Sequence, residues 1–182
     1  YRDDPDLLLA DLRADARRQA IEKAVGIFVP RDALKRQYAT LEDAVFSAPG
    51  DGERIEGRST TIVKAGGGDC DGQLAVYETI LPPENTGPPL HFHRLTAETF
   101  LVLDGTFEFT LGDEHAILEP GFFALVPPGV PHTFSNEGDD EARCLTVTGP
   151  AGVEAFIREA VRSGDADLAA LGEQHDTFLV KA

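Results

Sequence analysis

The stretch HFHRLTAETF, residues 91–100, places two histidines one residue apart and a glutamate five positions after the second. Because side chains alternate between the two faces of an extended strand, His91 and His93 point to the same face and form a pair of imidazoles able to hold one cation. Glu98 follows a four-residue bend and begins the next apolar run. If the two runs pair as a hairpin, Glu98 returns close to both histidines.

A third histidine follows a turn rich in proline and glycine. In VPPGVPHTFSN, residues 126–136, the prolines and Gly129 form a stiff turn that presents His132 in a set direction. Three neutral imidazoles and one carboxylate are a ligand set for a borderline divalent metal, so we expect one Fe, Mn, Ni, Co or Cu ion per chain, with Zn as an alternative. Four protein ligands in an octahedral site leave about two positions open, as in catalytic sites.

The remaining two histidines carry no such pattern. His115 sits beside a hairpin turn among acidic residues in GDEHAI and is expected to be exposed. His175, in GEQHDT, is expected to be a surface or packing residue.

Between Arg54 and Gly149 the chain consists of short apolar or alternating runs separated by Gly, Pro, Asn and Asp. About nine strands at this spacing predict an all-β sandwich or barrel. The runs are STTIVKA, QLAVYETILP, PLHFHR, ETFLVLDG, TFEFTLGD, HAILEPG, FFALVP, PHTFSN and ARCLTVTG.

The two ends of the chain have helical patterns instead. Residues 4–26 carry an apolar stripe at i+4 spacing, which predicts an amphipathic helix, and 27–50 can hold a second short one. Helices are also predicted after Gly152 and from Ala166 to about Glu173, before a last apolar run, TFLV. We therefore expect an N-terminal helical extension (1–53), a β-barrel (54–150) and a C-terminal helical segment that packs on the barrel (151–182).

The amino-acid composition limits the classes of molecule that the protein is expected to bind. The net charge of -16 over 182 residues disfavours binding to nucleic acids and to anionic membrane surfaces, and no run is apolar enough to span a membrane. Cys70 and Cys144 are expected to be reduced thiols in a cytoplasmic protein, since no secretory signal is visible. The chain lacks Met, so Tyr1 is not expected to be the encoded start.

The two histidine-containing stretches resemble the two motifs of the cupin superfamily. The first, G(x)5HxH(x)3–4E(x)6G, is matched by His91, His93, Glu98 and Gly105, although Asn85 stands where the motif has its first glycine and Gly87 follows two positions later. The second, G(x)5PxG(x)2H(x)3N, is matched in full by Gly121, Pro127, Gly129, His132 and Asn136. The resemblance covers about residues 54–150, which look like single-domain, quercetin dioxygenase-like cupins.

This resemblance implies a double-stranded β-helix (a cupin or jelly-roll barrel) with a metal held by His91, His93, Glu98 and His132. It further implies a dioxygenase, in which an enolate or phenolate oxygen of the substrate takes an open position on the metal and Glu98 accepts the substrate's proton. Pocket candidates, chosen by strand alternation alone and equally compatible with plain barrel core, are Tyr77, Thr79, Phe100, Val102, Phe123 and Phe134. Arg94 could pair with an anionic substrate or lie exposed at the rim.

Three classes of function stay open. One is a metal-dependent dioxygenase of a flavonol-like or other enolisable aromatic small molecule. The second is a non-oxidative isomerase, cyclase or lyase that uses the metal as a Lewis acid. The third is a binding module without turnover, which the complete ligand set disfavours. We also expect a homodimer, because barrels of this family pair through sheet edges that the N-terminal helix could cover or exchange across.

Overall fold

The computed structural model describes residues 52–164 and 168–180. Within these ranges the chain forms eleven strands, two α-helices and a short 3-10 helix at Gly67–Asp69. The strands are β1 (Glu53–Glu56), β2 (Thr60–Ala65), β3 (Ala75–Leu81), β4 (His91–Phe92), β5 (Ala97–Asp104), β6 (Phe107–Leu111), β7 (Glu114–Leu118), β8 (Phe123–Val126), β9 (His132–Ser135), β10 (Ala142–Gly149) and β11 (Phe178–Leu179). The helices are α1 (Val153–Ser163) and α2 (Leu168–Gln174).

The strands form two antiparallel sheets. The six-stranded sheet has the order β1-β2-β3-β10-β5-β8, and the five-stranded sheet has the order β11-β4-β9-β6-β7. From β3 to β10 the chain passes repeatedly from one sheet to the other. This is the predicted double-stranded β-helix, and each of the nine predicted runs contains one of its strands.

The strand of His91 does not pair with the strand of Glu98, so the hairpin suggested from the sequence does not form. β4 pairs with β9 and β11, whereas β5 pairs with β10 and β8 in the other sheet. The bend after His93 therefore carries the chain across the barrel instead of reversing it within one sheet. Glu98 approaches the histidines across the barrel interior.

Aromatic side chains from both sheets fill the barrel. The ring of Phe100, on β5, lies 4.9 Å from that of Phe109 and 5.4 Å from that of Phe134, centroid to centroid. Alternate residues of β5, β9 and β10 are buried, as the period-2 pattern predicted. This core fixes which residues of each strand face the interior.

The backbone leading to β4 depends on a glycine. Gly87 has a φ of +66°, and a Cβ at this position would collide with the carbonyl oxygen of Phe134. Asn85, which replaces the first glycine of the motif, forms a β-bridge with Asn136. The departure from the motif thus lies in a loop that contacts the barrel without contributing a ligand.

The segment after the barrel is only partly helical. α1 contacts β1 and β3, and the buried carboxylate of Glu154 accepts hydrogen bonds from the backbone N–H groups of Gly67 and Gly152. After α2 the TFLV run forms β11, which joins the five-stranded sheet beside β4. The predicted helices within residues 4–50 lie outside the described residues.

Two smaller expectations concern cysteines and membrane spans. Cys70 and Cys144 are free thiols, as expected. In the part of the chain that the structure describes, neither helix is long and apolar enough to cross a membrane.

Candidate metal centre

Four buried side chains converge where the two sheets face each other: His91, His93, Glu98 and His132. His91 and His132 are opposite each other in the β4–β9 pair. Glu98 projects from β5 in the other sheet, and its Oε2 atom lies 2.7 Å from His132 Nε2 and 3.2 Å from His93 Nε2. The site is therefore shared between the sheets, and neither sheet could form it alone.

The three imidazole rings are oriented in the same way. In each ring Nδ1 faces a backbone carbonyl oxygen. The distance is 2.8 Å from His91 to Pro89, 2.9 Å from His93 to Asp176, and 3.1 Å from His132 to Val130. Each carbonyl accepts a hydrogen bond from Nδ1–H, so Nε2 is the nitrogen that each ring turns toward the site and could offer to a metal. Metal-binding histidines are held by the same kind of carbonyl partner.

The spacing of these groups fits one ion. One ligand atom from each of the four residues can be chosen so that all lie within 4.8 Å of one another. Bonds of about 2.1 Å place two ligand atoms of one ion at most about 4 Å apart, so only small side-chain shifts close the site. In addition, His93 Nε2 is buried without a hydrogen-bond partner, a condition that a bound cation relieves.

The electrostatics of the site favour an ionised carboxylate. Burial alone would raise the pKa of Glu98, but the hydrogen bond from His132 and the nearby His93 ring outweigh burial and lower it. Burial lowers the pKa of His91 to about 4, so this ring is neutral at physiological pH. Burial would also lower the pKa of His93, but Glu98 and Asp176 raise it above the ordinary value.

A tyrosine contacts the second oxygen of the carboxylate. The hydroxyl group of Tyr77, on β3, donates a hydrogen bond of 3.2 Å to Glu98 Oε1. Burial and the charge of Glu98 hold the pKa of Tyr77 well above its ordinary value, so the phenol keeps its proton. Glu98 is thereby fixed through both oxygens.

The pocket candidates divide into two groups. Tyr77, Thr79, Phe100, Val102 and Phe134 are buried and face the interior, and the last three belong to the packed core. The inward assignment of Phe123 is wrong, since its side chain is 61% exposed. In the β5–β8 pair it lies opposite Leu101, on the outer face, while Ala124 and Val126 point inward beside Phe100 and Glu98.

Arg94 lies on the outside of the site. Its side chain is exposed, and the guanidinium carbon lies 3.9 Å from the centroid of the Phe178 ring. His115 is exposed and bonds to Thr110, and His175 is half-buried with its Nε2 3.3 Å from a carboxylate oxygen of Glu159. The exposure of His115 and the half-buried position of His175 match the expectations of an exposed residue and of a surface or packing residue.

The sequence reasoning missed one contributor to the site, Asp176. This residue bonds to His93 through its backbone carbonyl and to the bend after His93 through its carboxylate. The signal that could have pointed to it is the strand-like run TFLV that follows it directly, which places it beside the barrel if the run joins a sheet.

Comparison with known proteins agrees with this fold and site. Residues 77–148 match the family model described as the Cupin domain, so this part of the chain is a cupin domain. It is 41% identical over 88 residues to quercetin 2,3-dioxygenase of Bacillus subtilis, a match that spans 47% of this chain and 25% of that protein. It is 40% identical over 60 residues to Protein SchB of Streptomyces halstedii, spanning 33% of this chain and 44% of that protein.

A solved structure supports the fold in the same way. A predicted oxalate decarboxylase from Thermotoga maritima superposes with a TM-score of 0.52 at 19% identity, over 57% of this chain and 96% of that chain. At this identity the likeness concerns the barrel alone. Both curated relatives extend well beyond the part that this chain matches, so their activities are not carried over as findings.

Proposed function

We propose that this protein is a metal-dependent cupin enzyme, a dioxygenase that acts on a flavonol-like or other enolisable aromatic small molecule. The observation that carries the metal site is the common orientation of three buried rings, each bonded at Nδ1 to a carbonyl, beside an ionised Glu98. The proposed reaction type rests on the 41% sequence identity, over 88 residues, with the quercetin 2,3-dioxygenase of Bacillus subtilis.

A divalent transition metal bound by His91, His93, Glu98 and His132 would supply Lewis acidity toward a substrate oxygen and a redox partner for dioxygen. The residues themselves supply a proton acceptor. Glu98 is ionised, and as general base it would take the proton of an acidic substrate hydroxyl. Burial favours its neutral form and the histidine bonds favour its charge, so its basicity rises when a histidine hydrogen bond is lost.

The walls of the interior favour an aromatic substrate. Phe100, Phe109 and Phe134 form an apolar surface next to His132, and the Phe100 ring centroid is 6.4 Å from that of His132. Tyr77 offers a hydroxyl group on the Glu98 side. These rings pack against one another in the core, so a planar substrate would have to displace part of this packing to bring one polar edge near the carboxylate.

The test has two parts. Metal analysis of the purified full chain should find about one Fe, Mn, Co, Ni or Cu ion per chain. An oxygen electrode should then register uptake when quercetin, the probe flavonol, is added. Bound zinc together with no oxygen uptake would instead support the non-oxidative class, an isomerase, cyclase or lyase.

A ligand variant and a matched control separate the site from general damage. We expect His132→Ala to lose most of the metal while the fold survives, because the core is apolar elsewhere. Exposed His115 provides the control, and His115→Ala should keep the metal. Stoichiometric metal in His132→Ala would contradict the ligand set.

Two further parts of the proposal concern setting. We propose that the chain forms a homodimer and acts in the cytoplasm. Light scattering at several protein concentrations tests the first, and fractionation of the source cells tests the second.

A further inference from the structure

The segment His175–Thr177 reaches the metal centre from the far end of the chain. The backbone carbonyl of Asp176 accepts a hydrogen bond of 2.9 Å from His93 Nδ1. The Asp176 carboxylate accepts three more from the backbone N–H groups of residues 94–96, at 3.0, 2.8 and 3.0 Å. One residue therefore binds both the ligand ring and the bend that carries the ligand.

The segment is itself held in place on both sides. β11 pairs with β4, with Leu179 opposite His91, and the rings of Phe92 and Phe178 stack at 5.4 Å. On the other side, the N–H of Thr177 donates to the carbonyl of Gly172 at 2.8 Å. A Cβ on Gly172 would collide with the carbonyl oxygen of Thr177, so this contact needs a glycine.

The three histidines differ in how their rings are fixed. His91 and His132 bond to carbonyls only two residues earlier in the chain, so their orientation is a local property of β4 and β9. His93 Nδ1 instead contacts groups from the far end of the described chain, the Asp176 carbonyl at 2.9 Å and, more loosely, the Thr177 hydroxyl at 3.4 Å. His93 is also the ligand that lies in the bend between the sheets, after the end of β4.

We propose that Asp176 is a positioning residue of the metal centre. Its carbonyl fixes the tautomer of His93, so that Nε2 faces Glu98, and its carboxylate holds the bend that brings His93 to Glu98 across the barrel. This inference rests on the proposed metal site.

The test measures zinc affinity in the full-length chain by competition with a chromophoric chelator. Asp176→Gly removes the carboxylate and tolerates the residue's φ of +56°. The variant keeps the carbonyl that bonds to His93 and loses the carboxylate that holds the bend. Changes to outer partners of metal-binding histidines cost about 10- to 100-fold in affinity, and we expect a loss at the lower end of that range. Asp176→Asn keeps one acceptor oxygen and should lose less.

A matched control is available in another turn. Asp71 is an exposed aspartate with a φ of +54°, and no part of the metal centre involves it. Asp71→Gly therefore makes the same chemical and backbone change at a distant position. It should bind zinc as the wild type does.

A second readout separates positioning from simple destabilisation. Nitrogen NMR of the imidazole rings should show His93 with the proton on Nδ1 in the wild type. Asp176→Gly keeps the backbone carbonyl but releases the segment that carries it from the bend at residues 94–96, so the His93 signal should broaden or move toward a tautomer mixture, while the signals of His91 and His132 stay in place. A general loosening of the barrel would move all three.

Wild-type zinc affinity and an unchanged His93 spectrum in Asp176→Gly would overturn the inference, as would an equal loss of affinity in Asp71→Gly. If Asp176→Gly does not fold, the Asp176→Asn variant decides on the same two measurements. If the wild type binds neither zinc nor any other divalent transition metal, the proposed function fails, and the ring spectra of the metal-free proteins alone decide the role of Asp176.

Discussion

Glu98 and His132 belong to different sheets of the barrel, yet Glu98 Oε2 and His132 Nε2 lie 2.7 Å apart. Both side chains are almost completely buried. A buried carboxylate is costly unless it is paired and hydrogen-bonded, and here the partners are His93, His132 and Tyr77. The metal-free site is thus already assembled by its own hydrogen bonds.

Metal binding should weaken as the pH falls. A metal can bind His93 only when the ring is neutral. Because the pKa of this ring is raised, protons compete with the metal at a higher pH than they would at an ordinary histidine. His91, with a pKa of about 4, should add no competition above that pH. Below the pKa of His93, we expect protonation of this ring to weaken metal affinity about tenfold for each unit that the pH falls. Zinc titrations between pH 8 and pH 5 check this, and an affinity that stays constant over that range would contradict it.

Tyr77→Phe should impair turnover more than metal binding. The change removes the hydroxyl group that fixes Glu98 Oε1 and leaves a charged buried oxygen without that donor, at a cost of about 1–3 kcal/mol in the free energy of unfolding. A mispositioned base should lower kcat by about tenfold to a hundredfold. Denaturant titration and steady-state kinetics measure the two effects. As a control, Thr110→Val removes a half-buried hydroxyl that bonds to His115, far from Glu98, and should cost about 0.5–1.5 kcal/mol in stability without lowering kcat. Unchanged kcat in Tyr77→Phe would show that Glu98 does not need this partner.

The two thiols should differ sharply in reactivity. Burial raises the pKa of Cys144 to about 12, so it carries almost no thiolate at pH 8, and its side chain is also inaccessible. Cys70 is only half-buried. Iodoacetamide at pH 8 should therefore alkylate Cys70 alone in the folded protein and both cysteines in denaturant. Mass spectrometry of Cys70→Ser provides the control, since this variant should stay unmodified while folded. Rapid modification of native Cys144 would contradict the burial of β10.

Two phenylalanine substitutions test the phase of the strands. Phe100→Ala removes a ring packed against Phe109 and Phe134 and should cost about 3–5 kcal/mol in the free energy of unfolding. Phe123→Ala, on the outer face, should cost less than about 1 kcal/mol. Denaturant titration of both variants checks the difference. Similar losses would mean that the alternation in β5 or β8 has been assigned incorrectly.

What could be predicted from the sequence was local. Strand alternation and turn residues identified nine strands, and the spacing of His91, His93, Glu98 and His132 identified the four side chains that the structure brings together. Which strands pair with each other depends on residues far apart in the sequence. For that reason the suggested pairing of β4 with β5 was wrong. Alternation also fixes a period and not its phase, and this explains the error at Phe123.

The contact between Asp176 and His93 could not be predicted from the sequence for a related reason. This contact uses a backbone carbonyl, which any residue type could provide. Only the fold brings that carbonyl to the ring, through the pairing of β11 with β4. A side-chain pattern therefore carried no direct signal for it.

The place of Asp176 in the chain also bears on how the protein is made. Translation produces His132, the last of the four ligands, 44 residues before Asp176 (176 − 132). A nascent chain that already carries every ligand still lacks the group that orients His93. If the proposed metal site and the role of Asp176 hold, loading of the ion depends on the arrival of β11, and a ribosome-bound or prematurely terminated chain would hold metal poorly even with β1–β10 complete.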